Sequence, residues 1–110
     1  MAAGFELKGG KNKFSWNLKA RNGRVVLTSE SYTTKAAAQN GIKSARKHAA
    51  ADKNFDRRQA KNGAPYFVLV ARNQEVIGTS EMYASNAGRE TGIASVKANA
   101  PDAPVHDKTV

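Results

Sequence analysis

One three-residue signature occurs twice in this chain. Ser29, Glu30 and Tyr32 recur as Ser80, Glu81 and Tyr83. Two carboxylates and two phenols brought face to face by a repeat could split their pKa values and do general acid/base work. A small enzyme is therefore one reading of the chain, with this motif as its machinery. The same residues also have a structural account. They fall where a strand hands over to a helix, and there a glutamate beside the helix start and a packed tyrosine are expected in any case. We assign the motif that structural role, so the chain reads as a non-enzyme with no catalytic residues. His48 and His106 are the only histidines, and neither stands at a metal-ligand spacing from a second histidine or a carboxylate. With no cysteine there is no thiolate, disulfide or Cys-based zinc site. Gly9-Gly10-Lys11 lacks the spacing of a phosphate loop. No metal and no cofactor are expected.

Binding chemistry is more visible. The chain has 18 basic and 9 acidic residues, for a net charge of +9. Residues 1–50 alone carry +8 of it, and such a one-sided positive field attracts polyanions. Lys13, Lys19, Arg21 and Arg24 lie on or near one hairpin, and Lys35, Lys43, Arg46 and Lys47 lie on one helix. These eight are the candidate nucleic-acid contacts. They would touch phosphates, so binding would be weak and would fall with salt. Trp16 alternates with apolar positions, which makes it core and not a base-stacking platform. The alternative is a protein- or ligand-binding module. The strand face that reads Ser15, Asn17 and Lys19 in the first half becomes Tyr66, Val68 and Val70 in the second. Either another element of the chain covers that apolar triplet, or it is an interaction patch.

The elements that must position these residues follow from an internal repeat. At a shift of 51, Leu18, Ala20, Arg21 and Asn22 recur as Leu69, Ala71, Arg72 and Asn73; Gly41, Ile42 and Ser44 recur as Gly92, Ile93 and Ser95. Upstream the shift is 50, as in Phe5 and Phe55, so one residue was gained near Ala64–Pro65, in a loop. The 110 residues fit one domain, with residues 1–50 as repeat one and 51–110 as repeat two. Each repeat starts with a strand at Phe5 or Phe55, then a turn at Gly9-Gly10 or Asn62-Gly63. A second strand alternates Phe14, Trp16, Leu18 and Ala20 with Lys13, Ser15, Asn17 and Lys19. Asn22-Gly23 predicts a two-residue hairpin before a third strand over Val25–Thr28. Thr34 and Ser85 are the expected helix caps. Ala38, Ile42, Ala45 and Ala49 form one helical apolar stripe. Gly41 and Gly92 stand mid-helix at a cost of up to about 1 kcal/mol, which points to close approach of a neighbouring backbone. The core is expected to lean on Ala, Val, Ile and Leu. Pro104–Thr109 reads as a last strand. No stretch nears the roughly 18 apolar residues of a membrane span, and Met1–Gly10 lacks a leader pattern. A cytoplasmic protein that does not touch membranes is expected.

The runs Trp16-Asn17-Leu18-Lys19-Ala20-Arg21-Asn22-Gly23, Leu27-Thr28-Ser29-Glu30-Ser31-Tyr32 and Arg89-Glu90-Thr91-Gly92-Ile93-Ala94-Ser95-Val96-Lys97-Ala98-Asn99 resemble the YegP-like family of small bacterial proteins of uncharacterised function. The resemblance covers nearly the whole chain and occurs in both copies. It implies an α+β fold of two tandem β-β-β-α-β repeats. Pseudo-two-fold symmetry would relate them within a single mainly antiparallel sheet packed with two helices, their last strands exchanged. It implies a monomer, because both halves of the pseudo-dimer are in one chain. It implies no activity and no partner. Arg21 and Arg72 stand where the family is often small, which ties the basic character to this member.

Overall fold

The computed structural model describes residues 3–110. The elements are strands β1 (Gly4–Gly10), β2 (Lys13–Lys19) and β3 (Val25–Ser29), helix α1 (Lys35–His48), a 3-10 turn at Asp52–Asn54, strands β4 (Phe55–Gln59), β5 (Pro65–Val70) and β6 (Val76–Thr79), helix α2 (Asn86–Asn99), and strand β7 (Val105–Asp107). All seven strands form one sheet in the order β4-β5-β6-β3-β2-β1-β7. Every pairing is antiparallel except β1 with β7. The repeats meet where β3 pairs with β6, so β3-β2-β1 on one side answers β6-β5-β4 on the other. The last strand of repeat two is exchanged onto β1 of repeat one. Strand β4 does two jobs: it follows α1 as β7 follows α2, and it flanks β5 as β1 flanks β2.

Both helices cover the same face of the sheet. Strand alternation points Phe5, Leu7, Trp16, Leu18, Phe67 and Leu69 at that face. There they join Ala38, Ile42 and Ala45 of α1 and Ile93 and Val96 of α2 in one buried cluster. The core is more aromatic than the composition suggested, because Trp16, Phe5 and Phe67 are the largest fully buried side chains. Phe5 meets Trp16 edge-on at 5.3 Å between ring centroids, and Phe55 meets Phe67 at 5.7 Å, the geometry that ring quadrupoles favour. Both repeats also carry a β-bulge at the same place, between Leu18 and Lys19 and between Leu69 and Val70. The extra residues, Val26 and Ile77, drop into the core.

The helix starts form as their residues demand. The Thr34 hydroxyl accepts from the Ala37 N–H at 3.0 Å, and the Ser85 hydroxyl from the Gly88 N–H at 3.0 Å. Three local expectations need correction. The hairpin after β2 is not a two-residue Asn-Gly turn; the Ala20 N–H donates to the Arg24 carbonyl at 2.9 Å across a longer loop, with Gly23 at φ 82°. Gly9 and Gly10 end β1, and the turn falls on Lys11 and Asn12, at φ 52° and 69°. Gly41 and Gly92 make room for tyrosine side chains, not for backbone. A Cβ on Gly41 would overlap the Tyr32 hydroxyl, and one on Gly92 the Tyr83 hydroxyl.

Candidate functional site: two inter-repeat grooves and a cationic cleft

The repeated Ser-Glu-x-Tyr is built into the fold. The Ser29 hydroxyl accepts from the Trp16 N–H at 2.9 Å and donates to the Glu30 carbonyl at 2.7 Å. The Ser80 hydroxyl does the same with Phe67 and Glu81, at 2.9 and 2.8 Å. Each serine thus bridges the end of one strand to its neighbour, with its hydroxyl proton committed to a backbone carbonyl. Each tyrosine lies against the glycine of its own helix, and burial pushes both phenols above the usual tyrosine range. The Tyr32 hydroxyl sits beside the buried indole Nε1 of Trp16; the second repeat has Phe67 there.

The symmetry does not bring the two glutamates to one site. It places each in its own groove, between the helix of one repeat and the β-hairpin of the other. The larger groove, about 670 Å³, sets Arg24 and Val25 of repeat one against Glu81, Met82, Tyr83 and Thr91 of repeat two. The smaller, about 510 Å³, sets Glu75 and Val76 of repeat two against Glu30, Tyr32 and Asn40 of repeat one. Position by position these are the same groove, but their charges differ. The first holds one cation and one anion, the second two carboxylates. Neither groove was read from the sequence. The signal was there, because the shift of 51 sets Arg24 against Glu75 and Ser31 against Met82.

The eight candidate nucleic-acid contacts divide into two groups. Three are engaged within the protein. Lys19 pairs with Glu6 at 3.0 Å and Lys35 with Asp107 at 2.5 Å, and these cations hold both carboxyls below their usual range. Arg46 donates from Nη2 to the Ala103 carbonyl at 2.6 Å and lies 5.6 Å over the Phe5 ring. Its partner by symmetry is Lys97, which reaches Asp52 at 2.6 Å and lies 5.7 Å from the Phe55 centroid. In both repeats, then, a cation in the last two turns of the helix clamps the segment that enters the exchanged strand. Lys13, Arg21, Arg24, Lys43 and Lys47 are exposed, with no ion pair among the described residues.

One of those five, Lys47, belongs to a cluster that the sequence reading missed. Lys47 and His48 at the end of α1, Lys53 and Asn54 after it, and Arg72 and Asn73 of the β5–β6 hairpin line a cleft of about 490 Å³. His48 fixes its walls: Nδ1 bonds the Ser44 carbonyl at 2.8 Å, and Nε2 accepts from the Arg72 N–H at 3.3 Å. No carboxylate lines the cleft among the described residues. Its symmetry mate keeps only Arg21 of these cations, because Ala98 and Asn99 stand where Lys47 and His48 do and Pro104 where Lys53 does. The cleft lay hidden because its cations come from three separate segments.

On the open face of the sheet, Val68 is 2 % exposed and Val70 7 %, while Tyr66 is half-buried beside Arg58. What this triplet offers a partner is chiefly the Tyr66 ring. Among the described residues no helix is long and apolar enough to cross a membrane, and no cluster of three or more His, Cys, Asp or Glu could hold a metal.

Two antiparallel half-sheets under two helices, with a doubled groove, define a tandem-repeat α+β protein. Within that class the chain belongs to the family described as a domain of unknown function, DUF1508, whose pattern matches twice, at residues 11–56 and 60–107. It is 50 % identical over 109 residues to a UPF0339 protein of Bordetella pertussis strain Tohama I, covering 99 % of this chain and 98 % of that one. It is 48 % identical over 110 residues to the UPF0339 protein YegP of Escherichia coli K12, covering 99 % and 100 %. The solution NMR structure of E. coli yegP, a protein of unknown function, superposes with a TM-score of 0.91 at 47 % identity over 99 % of this chain and 95 % of that one. A UPF0339 protein of Shewanella oneidensis, also solved by NMR, gives 0.91 at 44 % identity over 99 % and 93 %. The family is uncharacterised, and none of these relatives carries a described activity.

Proposed function

We propose that this protein is a non-enzymatic, monomeric, cytoplasmic binder of polyanions, with nucleic acid as the ligand class, acting through the cationic cleft. The supporting observation is the convergence of Lys47, Lys53 and Arg72 on one cleft that no carboxylate lines among the described residues. Phosphate groups recognised by lysine and arginine release counterions, so affinity is sequence-independent and falls with salt. Lys43, one helical turn before Lys47, extends the positive surface along α1.

Fluorescence anisotropy with duplex DNA, single-stranded DNA and RNA at several salt concentrations tests the proposal. The expected result is salt-sensitive binding that the triple variant Lys47→Ala, Lys53→Ala, Arg72→Ala weakens. Each lost phosphate contact lowers the slope of log K against log salt by about 0.9 on a duplex. Substituting Lys13 and Arg21, which lie outside the cleft, is the control. No binding at low salt, or equal weakening by control and cleft variants, would contradict the proposal.

A further inference from the structure

The larger inter-repeat groove has the chemistry of a small-molecule site, independent of the cationic cleft. Its two charged side chains, Arg24 and Glu81, come from opposite walls and different repeats. Both are close enough to Tyr83 to act on its phenol, the cation and the carboxylate in opposite directions. Yet they form no ion pair with each other, and neither side chain has another hydrogen-bond partner among the described residues. A groove lined by two opposite charges that do not neutralise each other presents a separated donor fork and acceptor. The walls also carry the apolar and aromatic groups Val25, Met82 and Tyr83, beside the polar Asn22, Thr91 and Ser95. Met82 is 56 % exposed, one of three large apolar side chains left in water among the described residues.

We propose that this groove binds a small zwitterion of the free α-amino-acid class with an apolar side chain. Its carboxylate lies on the Arg24 guanidinium, the planar fork suited to bidentate carboxylate recognition. Its ammonium lies on Glu81, and its side chain covers Val25 and Met82. The smaller groove is the built-in contrast. With Glu75 in place of Arg24 it has no cation for a carboxylate, and with Ser31 in place of Met82 it lacks the exposed thioether, although Val76 and Ile77 keep part of its wall apolar.

The test is ligand-observed NMR and calorimetric titration of the intact protein with leucine and methionine. Leucine amide lacks the carboxylate charge, N-acetyl-leucine lacks the ammonium, and glycine lacks the side chain. The expected result is binding of leucine and methionine, with each of the three analogues weaker by about tenfold or more, the scale of one lost charge-assisted contact. Arg24→Glu, which copies the smaller groove, should abolish leucine binding and leave leucine amide as the better ligand. Glu81→Gln should weaken leucine and spare N-acetyl-leucine. Both positions are exposed, so the variants should melt with the native protein. No binding of leucine or methionine at millimolar concentration, or binding that Arg24→Glu leaves unchanged, would overturn the assignment.

Discussion

The two repeats share one structural frame and differ at their rims. Each has a serine bridging strand to strand, a tyrosine seated on a helical glycine, a bulge that drops one residue into the core, and a helix cation over a phenylalanine. Outside that frame the residues part company. Arg24 faces Glu75 across the symmetry, Met82 faces Ser31, and Lys47 with His48 faces Ala98 with Asn99. Arg24, Glu75, Ser31, Met82, Lys47 and Ala98 are all exposed, where substitutions cost little stability. The frame explains how the chain folds, and the rims are where separate binding roles can sit.

The sharpest way to break the frame is at its glycines. Gly41→Ala and Gly92→Ala should each destabilise, although alanine is the better helix former by about 1 kcal/mol. The new methyl meets a tyrosine ring and hydroxyl already packed in place, and overpacking of this kind costs typically 1–3 kcal/mol. The two losses should be similar, since each added carbon also meets the neighbouring aromatic, Trp16 Nε1 at 3.0 Å for Gly41 and a Phe67 ring carbon at 3.2 Å for Gly92. Thermal melts of both variants check the sign.

Next in size come the serines. Ser80→Ala leaves the Phe67 N–H without its partner in a buried setting, a loss of about 1–3 kcal/mol. Ser29 is half-buried, so water can replace its hydroxyl and Ser29→Ala should cost less. Denaturant unfolding of the pair measures the difference, and equal losses would contradict it.

The smallest effect separates the two helix cations by pH. Lys97, and then Arg57, hold the Asp52 carboxyl down at about 2 from an ordinary 3.8. A depressed carboxyl stabilises above its unfolded pKa, and that contribution fades as pH falls from near 4 through 2. Lys97→Ala should move the Asp52 titration back towards 3.8 and flatten this acid limb. Arg46 bonds a backbone carbonyl that does not titrate, so Arg46→Ala should leave the limb in place. Carboxyl titration by NMR reads both.

Much of this was legible in the residues. Alternation around Trp16 and Phe67, the caps at Thr34 and Ser85, and the last strand all follow from period and residue type. What was not legible depends on distance in space. The mid-helix glycines signalled a close approach, but only packing shows that a phenol fills it. Arg46 read as one of four helix cations offered to phosphates, until the Ala103 carbonyl and the Phe5 ring were placed beside it. The cationic cleft draws Lys47, Lys53 and Arg72 from a helix, a loop and a hairpin, and no linear pattern joins them. The grooves needed the antiparallel meeting of β3 and β6, which sets each hairpin against the other repeat's helix.

The most direct test of the central claim compares the cationic cleft with its symmetry mate in one experiment. An amide-detected NMR titration with a short DNA duplex at low salt should move the signals of Lys47, Lys53, Arg72 and Asn73. Those of Ala98, Asn99 and Arg21 should stay in place, and the shifts should reverse on adding salt. Shifts of equal size at both sites, or none at either, would contradict the account.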